Sequence, residues 1–128
     1  MLNNGAKKVL IIEDEPIICT MCQRIFNEKG FEIDVVNDGR AAEEAVSEKE
    51  YDLLLLDLRL PVESGDEFYI WLAQELPEFK ERVIFMTGSV MGGDTMNLLQ
   101  KSGRPYLLKP FRPDDLKNIV DEFMKESE

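Results

Sequence analysis

The chain has 128 residues, 44% of them apolar, which suits one domain with its own core and leaves too little for two. Lys plus Arg number 15 against 26 Asp plus Glu, a formal charge of −11 that opposes direct binding to nucleic acid or anionic lipid. Histidine is absent, which excludes Ser-His-Asp and Cys-His catalysis, His-ligated metals and a phosphohistidine relay within the chain.

Residues 9–12 read as a buried strand. Ile17, Ile18, Met21, Cys22, Ile25 and Phe26 then recur as helical neighbours, and Gly30 ends that helix. Residues 31–36 form a second strand, and Asn37-Asp38-Gly39 a turn whose Asp38 caps a helix with a narrow face of Ala41, Ala42, Ala45 and Val46. Residues 53–56, four leucines in a row, are the clearest strand, apolar throughout because both faces are to be covered. Phe68, Trp71, Leu72 and Leu76 mark a third helix, and 83–86 a fourth strand. A weaker helix over 95–101 follows, its start diluted by Gly92-Gly93. Residues 106–108 make a short fifth strand. Leu116, Ile119, Val120 and Phe123 stripe a last helix opened by Pro113.

Strand followed by helix, five times over, predicts an α/β fold: right-handed crossovers, a parallel sheet and helices on both faces. No apolar run approaches the ~20 residues that cross a bilayer, so no membrane insertion is expected. The start Met1-Leu2-Asn3-Asn4-Gly5 is too polar for a signal peptide, and two cysteines are too few for a disulfide scaffold. A cytoplasmic domain is the expectation.

In such a sheet, ligands sit outside the carboxyl ends of the strands. The first strand ends in Glu13-Asp14-Glu15, the third in Asp57, the fourth in Thr87-Gly88 and the fifth in Lys109-Pro110. Singly, acids after strands serve equally well as helix N-caps. Together they set several carboxylates against one ammonium, and carboxylates within ~4 Å of one another repel by several kcal/mol. A divalent cation relieves this, and an all-oxygen set without His or Cys favours magnesium or manganese over zinc. Magnesium usually shares its shell with a phosphoryl oxygen, which suggests phosphate chemistry.

Four stretches, Val9-Leu-Ile-Ile-Glu-Asp-Glu-Pro16, Leu54-Leu-Leu-Asp-Leu-Arg-Leu-Pro61, Val83-Ile-Phe-Met-Thr-Gly88 and Tyr106-Leu-Leu-Lys-Pro-Phe111, in this order and at these spacings, resemble a response-regulator receiver domain of two-component signalling. The resemblance runs over about residues 7–124, so 1–128 is expected to be a single receiver domain without an output domain. It implies a doubly wound, flavodoxin-like sheet of strand order 2-1-3-4-5. It implies that Asp57 takes a phosphoryl group from a histidine kinase or histidine phosphotransfer protein and that the switch then controls a downstream partner or attached output. Asp14 and Asp57 would bind Mg2+, with Mn2+ as the alternative. Glu13 would join them directly or through water, and Arg59 would add its backbone carbonyl. Thr87 and Lys109 would hold phosphoryl oxygens, and Tyr106 is the aromatic switch position. Arg59 and Ser89, two residues beyond Asp57 and Thr87, match positions that tune phosphoryl loss, and the Lys109-Pro110 bond is a candidate cis peptide. Glu13 stands where Asp is more frequent. The approach Ser102-Gly-Arg-Pro-Tyr106 differs from that of DNA-binding regulators and looks closer to receivers of hybrid histidine kinases.

Rival readings fare worse. A haloacid-dehalogenase-type phosphohydrolase would carry an Asp where Arg59 stands, and a flavodoxin-like cofactor site would put its phosphate against Glu13-Asp14-Glu15. A binding-only pseudo-receiver has no need of the full Asp57, Thr87 and Lys109 set. The spacing of Cys19 and Cys22 fits a redox or zinc pair, but Cys22 lies on the apolar stripe and no second ligand pair exists. Trp71 reads as helix-to-sheet packing, Met86 and Met91 as gap fillers, and the outer acids Glu43, Glu44, Glu75 and Glu78 as a solvated exterior.

Overall fold

A computed structural model describes residues 5–89 and 93–127, so Met91 and Gly92 lie outside the described residues. Five strands, β1 (Lys8–Ile12), β2 (Glu32–Val36), β3 (Leu53–Asp57), β4 (Val83–Thr87) and β5 (Tyr106–Leu108), alternate with α1 (Pro16–Glu28), α2 (Gly39–Glu48), α3 (Gly65–Glu75), α4 (Gly93–Ser102) and α5 (Pro113–Glu126). The strands pair in parallel in the order β2-β1-β3-β4-β5. This is the doubly wound sheet expected from the strand–helix alternation.

Strand side chains point alternately to the two faces, and the core divides accordingly. Val9, Ile11, Leu53, Leu55, Ile84 and Met86 meet Cys22, Ile25 and Phe26 of α1 and Leu116, Val120 and Phe123 of α5. Leu10, Ile12, Leu54, Leu56, Val83 and Phe85 meet Ala42 and Val46 of α2, Phe68 and Leu72 of α3 and Leu99 of α4. Successive strand residues thus serve opposite layers, which is why β1, β3 and β4 are apolar without a break over 9–12, 53–56 and 83–86, whereas the edge strand β2 carries Glu32 and Asp34.

The ends of the helices follow local chemistry. Asp38 caps α2 by accepting from the Ala41 N–H at 2.8 Å. Ser64 and Glu67 form a capping box at α3 that the sequence reading had not singled out. Gly30 takes a left-handed φ of 83° just past α1, and Pro113 opens α5.

Several expectations shift in detail. Ile17, counted on the buried stripe of α1, is 83% exposed, because in the first turn it faces outward while Cys19 turns to the sheet. The connection from α3 to β4 contains a 3-10 helix over Pro77–Arg82 that buries Phe79. Tyr69 is buried as well, its hydroxyl donating to the Lys80 carbonyl at 3.2 Å. Trp71 is half-buried and stacks on Phe68 at 6.0 Å, and Met86 lies in the core as expected.

One acid departs from the solvated exterior. Burial, together with the neighbouring Glu43 carboxyl, pushes the Glu63 carboxyl up to about 7. Its Oε2 is buried without a hydrogen-bond partner. A carboxyl whose folded pKa lies above its unfolded value stabilises fully below the unfolded pKa, and that contribution is lost as pH rises through the folded pKa. Glu63→Gln should therefore raise the urea midpoint at pH 8 and leave it unchanged at pH 4. Solvent screening holds the gain to about 1 kcal/mol or less.

Candidate functional site

The register brings the predicted residues to one edge. Ile12 lies beside Leu56, so Glu13 follows beside Asp57. Asp57 lies beside Met86, which sets Thr87 one residue beyond it, and Leu108 lies beside Thr87. Lys109 is fastened there by its backbone N–H, which donates to the Thr87 carbonyl at 2.7 Å. The peptide bond after it, Lys109-Pro110, is cis, as the resemblance implied.

Asp57 is 3% exposed. Its Oδ1 accepts from the Arg59 N–H at 3.1 Å, and its Oδ2 accepts from Lys109 Nζ at 3.2 Å. Gly65 makes this turn possible: a Cβ there would sit 2.1 Å from the Asp57 carbonyl oxygen, so α3 can begin this close only without a side chain.

Glu13 is fully buried. Its Oε2 accepts from the N–H groups of Asp14 and Glu15, both at 3.0 Å, and its backbone carbonyl accepts from Asn37 Nδ2 at 2.9 Å. Oε1 lies 2.8 Å from Lys109 Nζ as an ion pair, yet makes no aligned hydrogen bond. Burial pushes the Glu13 carboxyl upward, and the Lys109 ammonium pulls it back. For Lys109, burial opposes the charge, but Glu13, Glu15 and Asp57 outweigh it and raise its pKa. The ammonium is held charged.

Asp14 is exposed at the mouth, and one carboxylate oxygen each from Glu13, Asp14 and Asp57 lie within 4.8 Å of one another. Hard oxygen donors, a buried Oε1 without an aligned hydrogen bond and an excess of negative charge fit a divalent cation of the magnesium type. Asp14, Glu15, Asp57, Arg59, Gly88, Ser89 and Lys109 line an open cleft of about 410 Å³ there, ample for a phosphoryl group and a hydrated ion.

Thr87 is 6% exposed, and its hydroxyl donates to the Ser89 carbonyl at 2.9 Å. Tyr106 is 43% exposed, on the outer side of β5. The cysteines take no part in the cleft. Burial first, then the Glu13 charge, push the thiol of Cys19 up to about 11 and that of Cys22 to about 12. The Cys19 thiol donates to the Glu13 carbonyl at 3.3 Å, a packing contact rather than a metal or redox one. Two features escaped the sequence reading: the contact between Glu15 and Lys109 at 2.9 Å, and the need for Gly65. A lone glycine after Ser64, in the loop that follows Pro61, was the signal for the second, and nothing local signals the first.

The family model for the response regulator receiver domain matches residues 9–121. The chain belongs to this family. It is a receiver domain of two-component signalling, with an acidic pocket of the kind that binds Mg2+ in such domains. The domain is 31% identical to the transcription factor SKN7 of Saccharomyces cerevisiae over 121 residues, which are 92% of this chain and 19% of that protein. It is 28% identical to the sensor protein GacS of Pseudomonas syringae, covering 93% of this chain and 14% of that one. The receiver domain thus spans only a small share of either relative. Among solved structures, the receiver domain of the sensor histidine kinase PA1611 from Pseudomonas aeruginosa, which has a magnesium ion coordinated in its active-site cleft, superposes with a TM-score of 0.82. Identity there is 28%, over 94% of this chain and 99% of the other. No described helix is long and apolar enough to cross a membrane.

Proposed function

We propose that this receiver domain accepts a phosphoryl group on Asp57 from a histidine kinase or histidine phosphotransfer protein, and relays the change to a partner protein or an attached output domain. The observation that carries this reading is the convergence on a buried Asp57 of Lys109 at 3.2 Å and of the Glu13 and Asp14 carboxylates within 4.8 Å. An Asp57 carboxylate oxygen attacks phosphorus. The new P–O bond forms as the bond from phosphorus to the donor's imidazole nitrogen breaks, and the electron pair leaves with the donor. The Arg59 N–H fixes one carboxylate oxygen so that the other faces the incoming group, and Lys109 offsets the charge gathering on the phosphoryl oxygens. Bound by Asp14, Asp57, the Arg59 backbone carbonyl and Glu13, directly or through water, Mg2+ (or Mn2+) would supply the positive charge that one ammonium cannot.

Thr87 is poised for the switch. To donate to a phosphoryl oxygen its hydroxyl must leave the Ser89 carbonyl, and the outward Tyr106 then moves toward the space beside it. Because the contacts of Thr87 and Lys109 with the phosphoryl group exist only in the phosphorylated state, they shift the population toward it. Slow hydrolysis of the aspartyl phosphate resets the switch, at a rate tuned by Arg59 and Ser89. The charge of −11 favours a partner with a basic protein face over nucleic acid, in a cytoplasmic setting. The likeness to a sensor protein, with the approach to Tyr106, supports attachment to a hybrid histidine kinase.

Intact-mass measurement after incubation with acetyl phosphate tests this reading. One phosphoryl group is expected with Mg2+ and none with the metal chelated. Uptake that ignores the metal would overturn it.

A further inference from the structure

Glu15 occupies the N-cap position of α1, where the shorter Asp, Asn, Ser or Thr ordinarily accepts from the first-turn N–H groups. It does not do so. Its backbone is extended, at φ −89° and ψ 117°, and its side chain makes no capping hydrogen bond. The carboxylate turns instead to Lys109, 94 residues away, with Oε1 at 2.9 Å from Nζ. A local bond that stabilises helices generally is forgone for a contact inside the cleft.

Lys109 donates hydrogen bonds to Glu15 at 2.9 Å and Asp57 at 3.2 Å, and Glu13 Oε1 lies 2.8 Å from the same ammonium as an ion pair without an aligned hydrogen bond. To follow the oxygens of a phosphoryl group outward from Asp57, the ammonium must move, and loosen one of these ion pairs as it does so. The side chains of Glu13 and Asp57 are 0% and 4% exposed, so neither can be left uncompensated cheaply. The Glu15 side chain is 60% exposed, and water receives its carboxylate as soon as it lets go. Glu15 is the releasable partner.

We infer that Glu15 is a positioning residue for phosphoryl acceptance. It holds one donor of Lys109 in the unphosphorylated protein, and its release is one of the terms that set the balance between the two states. This rests on the phosphoacceptor reading of Asp57 and Lys109 above. Losing the contact tilts the balance toward the phosphorylated form without touching Asp57 or the carboxylates grouped with it. Glu15 acts through Lys109 and meets no reacting atom.

The test is a titration with beryllofluoride in the presence of Mg2+, followed by fluorine NMR, on the wild type, Glu15→Gln and Glu15→Asp. The first variant removes the charge. The second keeps it on an arm one methylene shorter, better suited to capping α1 than to reaching Lys109. Both variants are expected to bind beryllofluoride about two- to fivefold more tightly than the wild type, the range open to an exposed ion pair. The difference should shrink at high salt. Thermal midpoints should stay level for Glu15→Gln and stay level or rise for Glu15→Asp. Wild-type affinity in Glu15→Asp would show that only the distant charge matters, and would overturn the inference. So would unchanged or weaker binding in Glu15→Gln, or a loss of thermal midpoint in both variants with affinity unmoved. A wild-type protein that takes up no beryllofluoride would remove the phosphoacceptor reading itself, and this inference with it.

Discussion

Asp57→Asn is expected to abolish phosphoryl uptake from acetyl phosphate, leaving an intact mass with no phosphoryl increment at any Mg2+ concentration. The substitution keeps the shape of the side chain and leaves an oxygen to accept from the Arg59 N–H, so the loop should stay in place. What it removes is the negative oxygen that Lys109 faces at 3.2 Å, and with it the nucleophile. An amide has no comparable electron pair to offer phosphorus, so the loss is complete rather than partial. Circular dichroism and thermal midpoint should show a folded protein. Persistent labelling of this variant would place the acceptor elsewhere, on a hydroxyl such as Thr87 or Ser89, and the assignment of Asp57 would fail.

Lys109→Met should have the second-largest effect, and on two readouts. The ammonium forms ion pairs with three carboxylates, and removing it leaves the fully buried Glu13 facing Asp57 without that compensation. Breaking one side of a buried pair costs about 3–5 kcal/mol, and the solvated share belonging to Glu15 places the expected loss near the lower end. Phosphoryl uptake should fall by about 10²-fold, the usual consequence of losing a preorganised electrostatic partner. The stability loss has a pH signature. Without the ammonium, the Glu13 carboxyl, already raised by burial, rises further. A raised carboxyl pKa favours the folded state on the acid side and loses that contribution as pH climbs through it. The gap between variant and wild type should therefore be wider at pH 8 than at pH 5. Added Mg2+ should narrow it, because a second cation at the same carboxylates binds only the folded state. Urea titrations at the two pH values, with and without the metal, check all three statements. Equal loss at both pH values would mean that Lys109 is held by packing rather than by charge.

Much of the fold could be read locally. Four leucines in a row at 53–56 announce a strand covered on both faces, and the structure buries all four, alternately against the α1/α5 and the α2/α3/α4 layers. The candidate site residues were legible because a parallel sheet collects whatever follows its strands, and Glu13, Asp57, Thr87 and Lys109 do share one edge. Ile17 shows where periodicity runs out. In the first turn of α1 its apolar side chain matches the stripe by spacing, yet the helix meets the core only from Ile18 onward. Phe79 was missed because a short 3-10 helix carries no periodic signal of its own, whereas Tyr69 lies at helical spacing from Leu72 and its polar hydroxyl hides its burial.

By itself, then, the sequence determined the order of elements, the parallel sheet and the set of groups delivered to its carboxyl edge. Each of these follows from short-range patterning, with apolar runs, caps and turns acting within a few residues. Only the tertiary structure decided how those groups share their charges. Whether Glu15 caps its own helix or reaches Lys109 depends on competition between a neighbouring N–H and an ammonium 94 residues along the chain. The same holds for Glu13, whose longer arm turns one oxygen to the backbone of its own loop and the other to Lys109. Gly65 likewise answers to a carbonyl oxygen of β3 that no local pattern places beside it. Electrostatic pairing and close backbone approach act through space, and distance in space is what folding adds to the sequence.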